Sequence, residues 1–539
     1  MDDFGKPGVY ILRDKSEKED CKKNNCSPEE EKTPSCLQNL KYYIWEYCDT
    51  YQKWVHSPVI VTFATTQTPI WKIPFPAVTI CSEIKAKKSR FNYTDIYIKK
   101  KKGEPITAKE EQEFEYMSLI CDTPKELLNT NLTTSDQRAM DFLMEVAPDF
   151  DKMMFRVSWR GKRYKNITDL FTPILTSEGL CYTFNIMDRS EIFTDIVTNY
   201  RDSFSTFGKV SKYSIQSGYD PDATLDSYPR RSFIASIFGG LRVLLSIPRE
   251  DIDYACIDAM QGFKVILHHP SEVPRGKLKY FRVPLDHSVT VAVKPNMMTT
   301  AKELSDYKPK DRRCYFSSER KLKYFKLYNQ QNCLSECLID FTLETCGCVG
   351  FHMQRQNSTP ICSASKLKCV IGARAIYLAN EVKKKVRKVN AESKDKIKDD
   401  SGEKCDCLPA CNSLDFEMER SQAIWEWKEF LKIEQEVGEW NSENVSLDEL
   451  HFARVVIFFK EMQFITSERN ELYGQTDFLA NCGGLLGLFT GFSFMSALEI
   501  LYYLTLRFVC NLRKFGKHYW SGSEELLEKN KKLNNGKSN

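Results

Sequence analysis

The chain has 539 residues, which at about 150 residues per domain corresponds to three or four units, or to one large elaborated unit. Lysine and arginine number 77 and aspartate and glutamate 73, so the formal net charge is only +4. This balance argues against nucleic acid as a main partner, because proteins that grip its backbone need a strong basic surplus. With 42% hydrophobic and 12% aromatic residues the chain has enough apolar material for a core, which excludes wholesale disorder.

The first 57 residues contain no segment that could carry the following chain across a membrane. Residues 1–21 are polar and charged, and the best apolar stretch, Leu40 to Cys48, is interrupted by Lys41 and Glu46. A signal peptide or a membrane span needs a longer uninterrupted apolar run. We therefore expect neither in this segment.

The next part of the chain alternates between patterns typical of strands and of helices. Residues 58–81 are rich in β-branched and aromatic side chains with prolines between them, which predicts strands and turns. Residues 181–185 and 263–269 also predict strands, whereas the charge-rich pattern over 109–145 predicts helices. Together they indicate a mixed fold.

Three further patterns surround a cysteine-rich stretch. Residues 318–329 predict a helix that leads into it. Residues 381–404 are a charge run without an apolar face, which favours a solvated loop. Residues 453–469 predict a pair of strands directly before a long apolar run.

The cysteines indicate an oxidising compartment. Twenty cysteines are many for a cytosolic protein, where thiols stay reduced. Ten of them form one dense cluster: Cys314, Cys333, Cys337, Cys346, Cys348, Cys362, Cys369, Cys405, Cys407 and Cys411. An even, dense cluster predicts a disulfide framework. Zinc is the alternative, but the chain has no C-x2-C pair and the cluster's only histidine is His352, so we expect no metal site.

Potential glycosylation sites point to the same compartment. Between residues 58 and 477 the chain has five N-x-S/T sequons, and no sequon follows residue 477: Asn92, Asn131, Asn166, Asn357 and Asn444. This distribution marks one contiguous lumenal segment and predicts a glycoprotein.

A long apolar run follows that segment, from Phe478 to Leu506, and its single ionisable residue is Glu499. As a helix it would measure about 43 Å, longer than the ~30 Å hydrocarbon core requires. The run therefore predicts a transmembrane span with strong tilt or a break. The tail beyond it is rich in lysine and arginine, so the positive-inside rule places it in the cytoplasm and the bulk of the chain outside.

Catalytic motifs are missing from the sequence. The seven histidines form no H-E-x-x-H, and the segment 491–495 lacks the second glycine of a nucleophile elbow. We expect no enzyme activity and no cofactor.

The apolar run contains small residues, one carboxylate and a Gly-x-Ser element whose chemistry bears on function. Gly483, Gly487 and Gly491 are spaced four apart, which is also the pattern of close helix packing in membranes. Glu499 is costly in lipid unless it faces a pore or a partner. A Gly-x-Ser element can unwind and offer carbonyl oxygens, which coordinate small cations such as Na⁺ when several chains form a ring.

Five segments, taken in this order, carry a family resemblance: FPAVTIC (75–81), GLCYTFN (179–185), residues 315–351, CDCLPAC (405–411) and residues 471–507. From about Tyr51 to Arg507 the chain resembles the degenerin/epithelial sodium channel superfamily and is most similar to its insect pickpocket branch. The resemblance implies an α+β membrane protein with a β-rich palm and ball, a helical finger, a disulfide-laddered thumb and a C-terminal transmembrane pore helix. It also implies assembly into a homo- or hetero-trimer.

The resemblance further implies a division of the chain into regions. The extracellular domain would span 51–476, with the cysteine-rich thumb at 314–411. A transmembrane pore helix would follow at 477–507 and a cytoplasmic tail at 508–539.

The thumb ladder implied by the resemblance pairs Cys314 with Cys411, Cys333 with Cys407, Cys337 with Cys405, Cys346 with Cys369 and Cys348 with Cys362. Cys81 would pair with Cys181 in the palm region. Cys121 and Cys256 remain; we pair them with each other, although the resemblance does not decide this pair.

Pore residues are implied in the same way. Gly491, Phe492 and Ser493 match the family's selectivity filter, with Na⁺ as the permeant ion. Ala480 matches a position where a small side chain allows closure, and Gly487 matches a position implicated in block by amiloride. Glu499 matches an acidic residue below the filter.

One departure from the family shapes the functional hypotheses. Residues 35–54 run almost straight into the palm, so the family's first span and its His-Gly motif are missing, and 1–50 would be a cytoplasmic or remnant segment. We expect a truncated, alternatively spliced or mis-assembled form.

The first hypothesis is a subunit of a trimeric, amiloride-sensitive, sodium-selective channel of the plasma membrane, gated by an extracellular stimulus. The alternative is a non-conducting isoform, or a single-span, disulfide-rich surface protein that binds or modifies other subunits.

Overall fold

The structure is a computed structural model that describes residues 59–129, 131–198, 210–274, 279–392, 405–437, 447–472, 493–515 and 523–535, together with single positions between 474 and 491. The chain divides into two compact units. One is Val59–Glu471, and the other includes Leu472–Asn539. The first unit is the folded body that is built from the two sheets and the helices below.

The strands of this body, in chain order, are β1 (Val59–Phe63), β2 (Thr68–Pro69), β3 (Ala77–Ser82), β4 (Thr134–Ser135), β5 (Arg156–Trp159), β6 (Lys162–Tyr164), β7 (Phe171–Thr176), β8 (Gly179–Phe184), β9 (Tyr213–Ser214), β10 (Gly218–Tyr219), β11 (Leu241–Pro248), β12 (Phe263–His268), β13 (Phe281–Val283), β14 (His287–Thr300), β15 (Ile361–Cys362), β16 (Ser413–Ile424), β17 (Leu450–Phe459), β18 (Gln463–Phe464) and β19 (Ser467–Glu471). The strands predicted within 58–81, 181–185, 263–269 and 453–469 are confirmed.

The α-helices of the same body are α1 (Tyr93–Lys102), α2 (Ala108–Met117), α3 (Gln137–Val146), α4 (Phe150–Met153), α5 (Arg189–Ile192), α6 (Pro309–Arg312), α7 (Gln330–Cys346), α8 (Leu367–Glu392) and α9 (Trp427–Glu436). The helical prediction over 109–145 corresponds to α2 and α3, which are separate helices. The body is therefore a mixed α and β fold, as the sequence indicates.

The larger sheet has eight strands in the order β1–β19–β14–β17–β11–β5–β6, with β16 also paired to β14. Strand β14 runs parallel to β17 and β19 and antiparallel to β16. At one edge β1 pairs with β19, so that Val59 faces Glu471. The first and last strands of the body therefore lie side by side.

The smaller sheet has five antiparallel strands in the order β13–β12–β3–β8–β7. Every residue of β3 and of β12 is buried. Continuous burial of this kind means that both faces of the sheet are covered.

One face of the smaller sheet packs against the larger sheet. Alternate residues of β11, β14 and β17 point into this core, as the two-residue period of strands requires. Phe75 lies at its centre, with its ring 4.8 Å from that of Trp159 and 5.3 Å from that of Phe459. The two sheets thus form a β sandwich.

The other face packs against helices. Ile96 of α1, Phe114 of α2 and Leu143 of α3 share a second core with Ile266 of β12. Helix α2 begins at a capping box: the Thr107 hydroxyl accepts from the backbone N–H of Glu110 at 3.2 Å, and the Glu110 carboxylate accepts from the Thr107 N–H at 2.8 Å. These helices cover the sheet on the side opposite the sandwich.

The prediction of a helix over 318–329 is wrong, because helix α7 begins only at Gln330. The backbone N–H groups of Lys323 and Tyr324 both donate to the Glu336 carboxylate, at 2.7 and 2.9 Å. Amides that are bound to a distant side chain are not available for helical hydrogen bonds. A tertiary contact therefore overrides the local pattern here.

The loop predicted over 381–404 is also wrong in its first half, because α8 continues to Glu392. Residues 393–404 lie outside the described residues. Lysine, glutamate and arginine are good helix formers. Lys384 and Glu381 form an ion pair at 3.6 Å one turn apart on this helix. A charge run can therefore prolong a helix whose earlier turns are packed.

A buried charge cluster lies at the end of β3. The Lys264 ammonium is 2.7 Å from the Glu178 carboxylate, and the Lys85 ammonium is 3.7 Å from the same carboxylate. Lys85 is also 3.8 Å from Glu83, whose side chain is fully buried. Burial lowers the pKa of Lys85, whereas Glu178 and Glu83 oppose that shift. Glu178 is thus the shared counterion of two buried lysines.

We expect Glu178→Gln to lower the free energy of unfolding by about 3 kcal/mol, because it leaves the buried Lys264 ammonium without its counterion and Lys85 with only Glu83 as an ion-pair partner. Urea unfolding of the full chain measures the change. The matched control is Glu104→Gln, since Glu104 is half exposed and lies 3.9 Å from Lys102. Equal losses in the two variants would contradict the assigned role of Glu178.

Two adjacent histidines on the smaller sheet are buried and neutral. Burial lowers the pKa of His268 to about 4 and that of His269 to about 3. The Nδ1–H of His268 donates to the carbonyl of His269 at 3.0 Å, and its Nε2 lies 2.9 Å from the Thr79 hydroxyl. Because both ring nitrogens have partners in the neutral form, protonation has no stabilising contact inside the fold.

We expect the free energy of unfolding to fall as the pH drops from about 6.5, the pKa of unfolded histidine, towards about 4. In this window the unfolded chain binds protons that the folded chain excludes, and each histidine contributes about 1.4 kcal/mol per pH unit. Urea titrations at pH 7 and pH 5 measure the slope, and His268→Gln reduces it by one histidine's share. An unchanged slope in that variant would count against this assignment.

Candidate functional site

The second unit contains the apolar segment that the sequence marks as a pore. Its described helical elements are α10 (Phe494–Leu501), a π-helical turn (Tyr502–Leu506), α11 (Arg507–Phe515) and α12 (Glu524–Asn535). Among the residues that the structure describes, no helix has both the length and the apolar character needed to cross a bilayer. The pore helix over 477–507 stays a prediction.

The Gly-x-Ser element lies where one helical stretch stops. Gly491 has a φ of +64°, the left-handed conformation that favours glycine. Its N–H donates to the carbonyl of Gly487, which is helical, at 3.1 Å. A left-handed glycine with this hydrogen bond is a common end of an α-helix.

Two residues later a new helix begins. Ser493 has an extended backbone and caps α10: its hydroxyl accepts from the N–H of Ser496 at 3.3 Å, and its own N–H donates to the Ser496 hydroxyl at 3.3 Å. Such reciprocal capping fixes a helix start. The chain is therefore not helical at Gly491 and Ser493, which gives the apolar segment a break at the predicted filter. Phe492 lies outside the described residues.

The helix after the break exposes apolar side chains. Phe494 is 77% exposed and Leu504 is 72% exposed. The other large apolar side chains of this stretch that are exposed are Met495, Leu498, Ile500, Leu501, Tyr502, Tyr503, Leu506, Phe508 and Val509. A helix with apolar residues on all sides needs an apolar environment, which is supplied by lipid or by other chains.

The remaining predicted pore residues lie on both sides of the break. Ala480 is helical and exposed, and Gly487 is helical and half-buried. Glu499 is exposed on α10, and its carbonyl accepts from the backbone N–H of Tyr502. The structure thus places Ala480 and Gly487 before the break and Glu499 after it.

The cysteines of the thumb are brought together in the pairs that the resemblance implies. The S–S bonds join Cys314–Cys411, Cys333–Cys407, Cys337–Cys405, Cys346–Cys369 and Cys348–Cys362. Cys81–Cys181 and Cys121–Cys256 are also joined. The second of these pairs is the one that the resemblance left undecided.

Neighbouring rungs of the ladder lie close to each other. The sulfur atoms of Cys333, Cys337 and Cys407 lie within 4.8 Å of one another. Three sulfurs at this spacing could bind a metal as thiolates, but each of them is part of a disulfide here. The ladder is therefore covalent.

The base of the ladder is attached to the larger sheet. The Thr300 hydroxyl at the end of β14 donates to the carbonyl of Cys411 at 2.6 Å, and the Thr300 N–H donates to the Asn412 side chain at 3.0 Å. Strand β16 starts at Ser413, directly after this contact, and pairs with β14. The ladder and the sheet that carries β19 are thus continuous.

Four of the five predicted glycosylation sites fall on described residues. Asn131, Asn166 and Asn357 are exposed, whereas Asn92 is half-buried and caps α1 by accepting from the N–H of Asp95 at 3.2 Å. Asn444 lies outside the described residues. Their modification stays a prediction.

Comparison with known proteins places the chain in a family. Residues 36–503 match the amiloride-sensitive sodium channel family. The chain is 27% identical to pickpocket protein 28 of Drosophila melanogaster over 494 residues, which cover 89% of this chain and 74% of that protein. It is 21% identical to acid-sensing ion channel 1A of Danio rerio over 87% of this chain and 81% of that protein. It is 23% identical to the gamma subunit of the epithelial sodium channel of Xenopus laevis over 56% of this chain and 44% of that protein. The chain therefore belongs to the amiloride-sensitive sodium channel family, whose members are ion channels and not enzymes.

Proposed function

We propose that the chain is a subunit of a trimeric, amiloride-sensitive, sodium-selective cation channel of the plasma membrane, opened by an extracellular stimulus. The observation that carries this proposal is the non-helical backbone at Gly491 and at Ser493, within an apolar segment of a chain of this family. At such a break, carbonyl oxygens are released from helical hydrogen bonds and can replace the hydration shell of Na⁺. Gly491, Phe492 and Ser493 form the proposed filter.

The proposed channel requires several subunits, because each chain supplies only one pore helix. One helix cannot enclose an ion path, and the exposed apolar residues of α10 provide a surface for neighbouring subunits and lipid. The small residue Ala480 allows the helices to approach closely above the filter, and Gly487 is the proposed amiloride contact. Glu499 lies beyond the filter, where a carboxylate attracts cations. A relative of the chain bears the name of a channel subunit, which supports the same assembly.

The proposed topology connects the folded body to the pore. Residues 51–476 are extracellular, 477–507 form the pore helix and 508–539 are cytoplasmic. Strand β19 ends at Glu471, directly before the pore segment, and pairs with β14, which receives the base of the disulfide ladder. A stiff ladder on a continuous sheet can pass a movement of the thumb to β19. Gating by an extracellular stimulus would use this route.

Replacement of Ala480 tests the pore assignment. We expect Ala480→Val to produce a constitutive inward sodium current in oocytes, because a β-branched side chain prevents the close approach of helices that shuts the pore. Two-electrode voltage clamp measures the resting current, and amiloride is expected to block it.

Ala480→Ser is the matched control, since a small side chain preserves closure and leaves the resting current at the wild-type level. Surface biotinylation verifies that each variant reaches the plasma membrane. If the Ala480→Val variant reaches the plasma membrane but carries no current, the result contradicts the channel proposal and favours a non-conducting surface protein.

Replacement of Ser493 tests the filter. We expect Ser493→Ala, made in the Ala480→Val background, to reduce the permeability of Na⁺ relative to K⁺ several-fold. The substitution removes the α10 cap, which is worth about 1 kcal/mol, and loosens the backbone at the break. Reversal potentials in sodium and potassium solutions measure the ratio.

Ser523→Ala is the control for this variant, because Ser523 directly precedes α12 in the tail and lies outside the proposed filter. Its permeability ratio is expected to equal that of the Ala480→Val parent. A Ser493→Ala channel with unaltered selectivity is inconsistent with a filter at 491–493.

A further inference from the structure

Two neighbouring cavities lie between helices α7 and α8 and the hairpin of β7 and β8 in the smaller sheet. The larger has a volume of about 530 Å³ and the smaller a volume of about 160 Å³. Leu338 of α7, Arg374 of α8 and Ser177 of the hairpin turn line both of them. The Cys346–Cys369 disulfide joins α7 to α8 and so holds one side of the cavities together. The larger volume falls within the range of small-molecule sites.

Most of the wall of the larger cavity is apolar. Leu334 and Leu338 lie one turn apart on α7, and Leu378 and Val382 lie one turn apart on α8. Leu378 is 50% exposed and Val382 is 60% exposed, so this wall presents apolar surface to solvent. A ligand with an apolar body would remove that surface from water, which is favourable.

Arg374 adds a positive charge to this apolar wall. The residue is half-buried, and it makes no hydrogen bond or ion pair with a described residue. None of its nitrogens is among the buried polar atoms that have no partner, so the guanidinium is open to a solute. Burial lowers the pKa of Arg374, which means that its surroundings disfavour the charged form. A bound anion would compensate this charge.

No carboxylate of the described wall neutralises Arg374. Glu381 is the one acidic side chain among the described residues that line the larger cavity, and it forms an ion pair with Lys384 at 3.6 Å. It lies two turns after Arg374, which is about 10 Å along the helix. The described wall of the smaller cavity contains no aspartate or glutamate, and His352, which lines both cavities, can add only positive charge.

The charge and the apolar wall together select a class of ligand. A guanidinium is a planar fork of donors that matches a carboxylate with two parallel hydrogen bonds. An inorganic anion would gain from Arg374 but nothing from the leucines, whereas a neutral apolar molecule would leave Arg374 without a counterion. A ligand that uses both features carries a carboxylate on an apolar body.

We propose that the larger cavity binds a small organic carboxylate with an apolar body, whose carboxylate accepts hydrogen bonds from Arg374 and whose body packs against Leu338 and Leu378. The inference concerns binding to the folded body and does not depend on conduction. It assigns a ligand class to residues outside the proposed pore.

Calorimetric titration of the purified full chain in detergent tests the proposal with two probes, 1-naphthaleneacetate and its neutral analogue 1-naphthaleneacetamide. The two probes share an aromatic body, and an amide replaces the carboxylate in the second. We expect the acetate to bind, and the acetamide to bind at least about tenfold more weakly, because a charge-assisted hydrogen bond is lost. Titration of each probe into detergent alone gives the reference heat.

Two variants localise the binding. Arg374→Met removes the charge, retains a long side chain and breaks no contact with a described residue, so we expect it to fold and to weaken the acetate at least about tenfold while leaving the acetamide unchanged. Leu378→Trp fills part of the cavity from a half-exposed position and is expected to weaken both probes several-fold. Arg138→Met is the matched control, because the Arg138 side chain is 80% exposed on α3 outside both cavities, and it binds the acetate like the wild type. Urea unfolding verifies that each variant is folded.

Three results would overturn the proposal. They are the absence of acetate binding to the folded wild type, equal binding of the acetamide, and undiminished acetate binding in Arg374→Met. The last of these results would mean that Arg374 does not recognise the carboxylate. Because no current is recorded, a chain that binds the acetate but does not conduct contradicts only the channel proposal.

Discussion

The fold depends on the five-stranded sheet being covered on both faces, by the larger sheet on one side and by helices α1 to α3 on the other. Inside such a sheet, polar groups cannot form hydrogen bonds with water, so their partners must come from within the protein. Thr79 shows the result, since its hydroxyl lies 2.8 Å from that of Thr183 and 2.9 Å from His268. The shared carboxylate of Glu178 serves the buried lysines in the same way. The buried polar residues of this sheet therefore stabilise the fold through hydrogen bonds and ion pairs within the protein.

Some buried polar atoms nevertheless have no hydrogen-bond partner within the described structure. His268 and His269 are neighbours with similar burial, but only the first has partners at both ring nitrogens. The His269 ring lies 6.2 Å from that of Tyr213, whose hydroxyl also has no hydrogen-bond partner among the described residues.

Local patterns in the sequence predict the elements well where side-chain period and burial agree, as in strand β12, whose residues form one continuous buried run. They fail where a residue distant in sequence determines the local backbone conformation. Glu336 accepts hydrogen bonds from the amides of Lys323 and Tyr324 and so prevents a helix there. Cysteine spacing predicts a disulfide framework but not its pairs, because ten cysteines allow hundreds of pairings; only the family resemblance supplied them. The proximity of the Tyr213 and His269 rings, 6.2 Å apart, was beyond prediction because the fold alone brings these two residues together.

The apolar segment from Phe478 to Leu506 contains local helix signals, but its exposed apolar side chains need partners outside the chain. A glycine that ends a helix and a serine that begins the next are recognisable in sequence, and the structure has both at Gly491 and Ser493. The exposed apolar residues of α10 have no counterpart within the described chain that covers them. Polar backbone at a break is tolerated in an apolar environment only where it lines a water-filled path or contacts protein. A break and an apolar surface on one segment are compatible when several copies surround a common axis, with the broken backbone inside and the apolar residues outside.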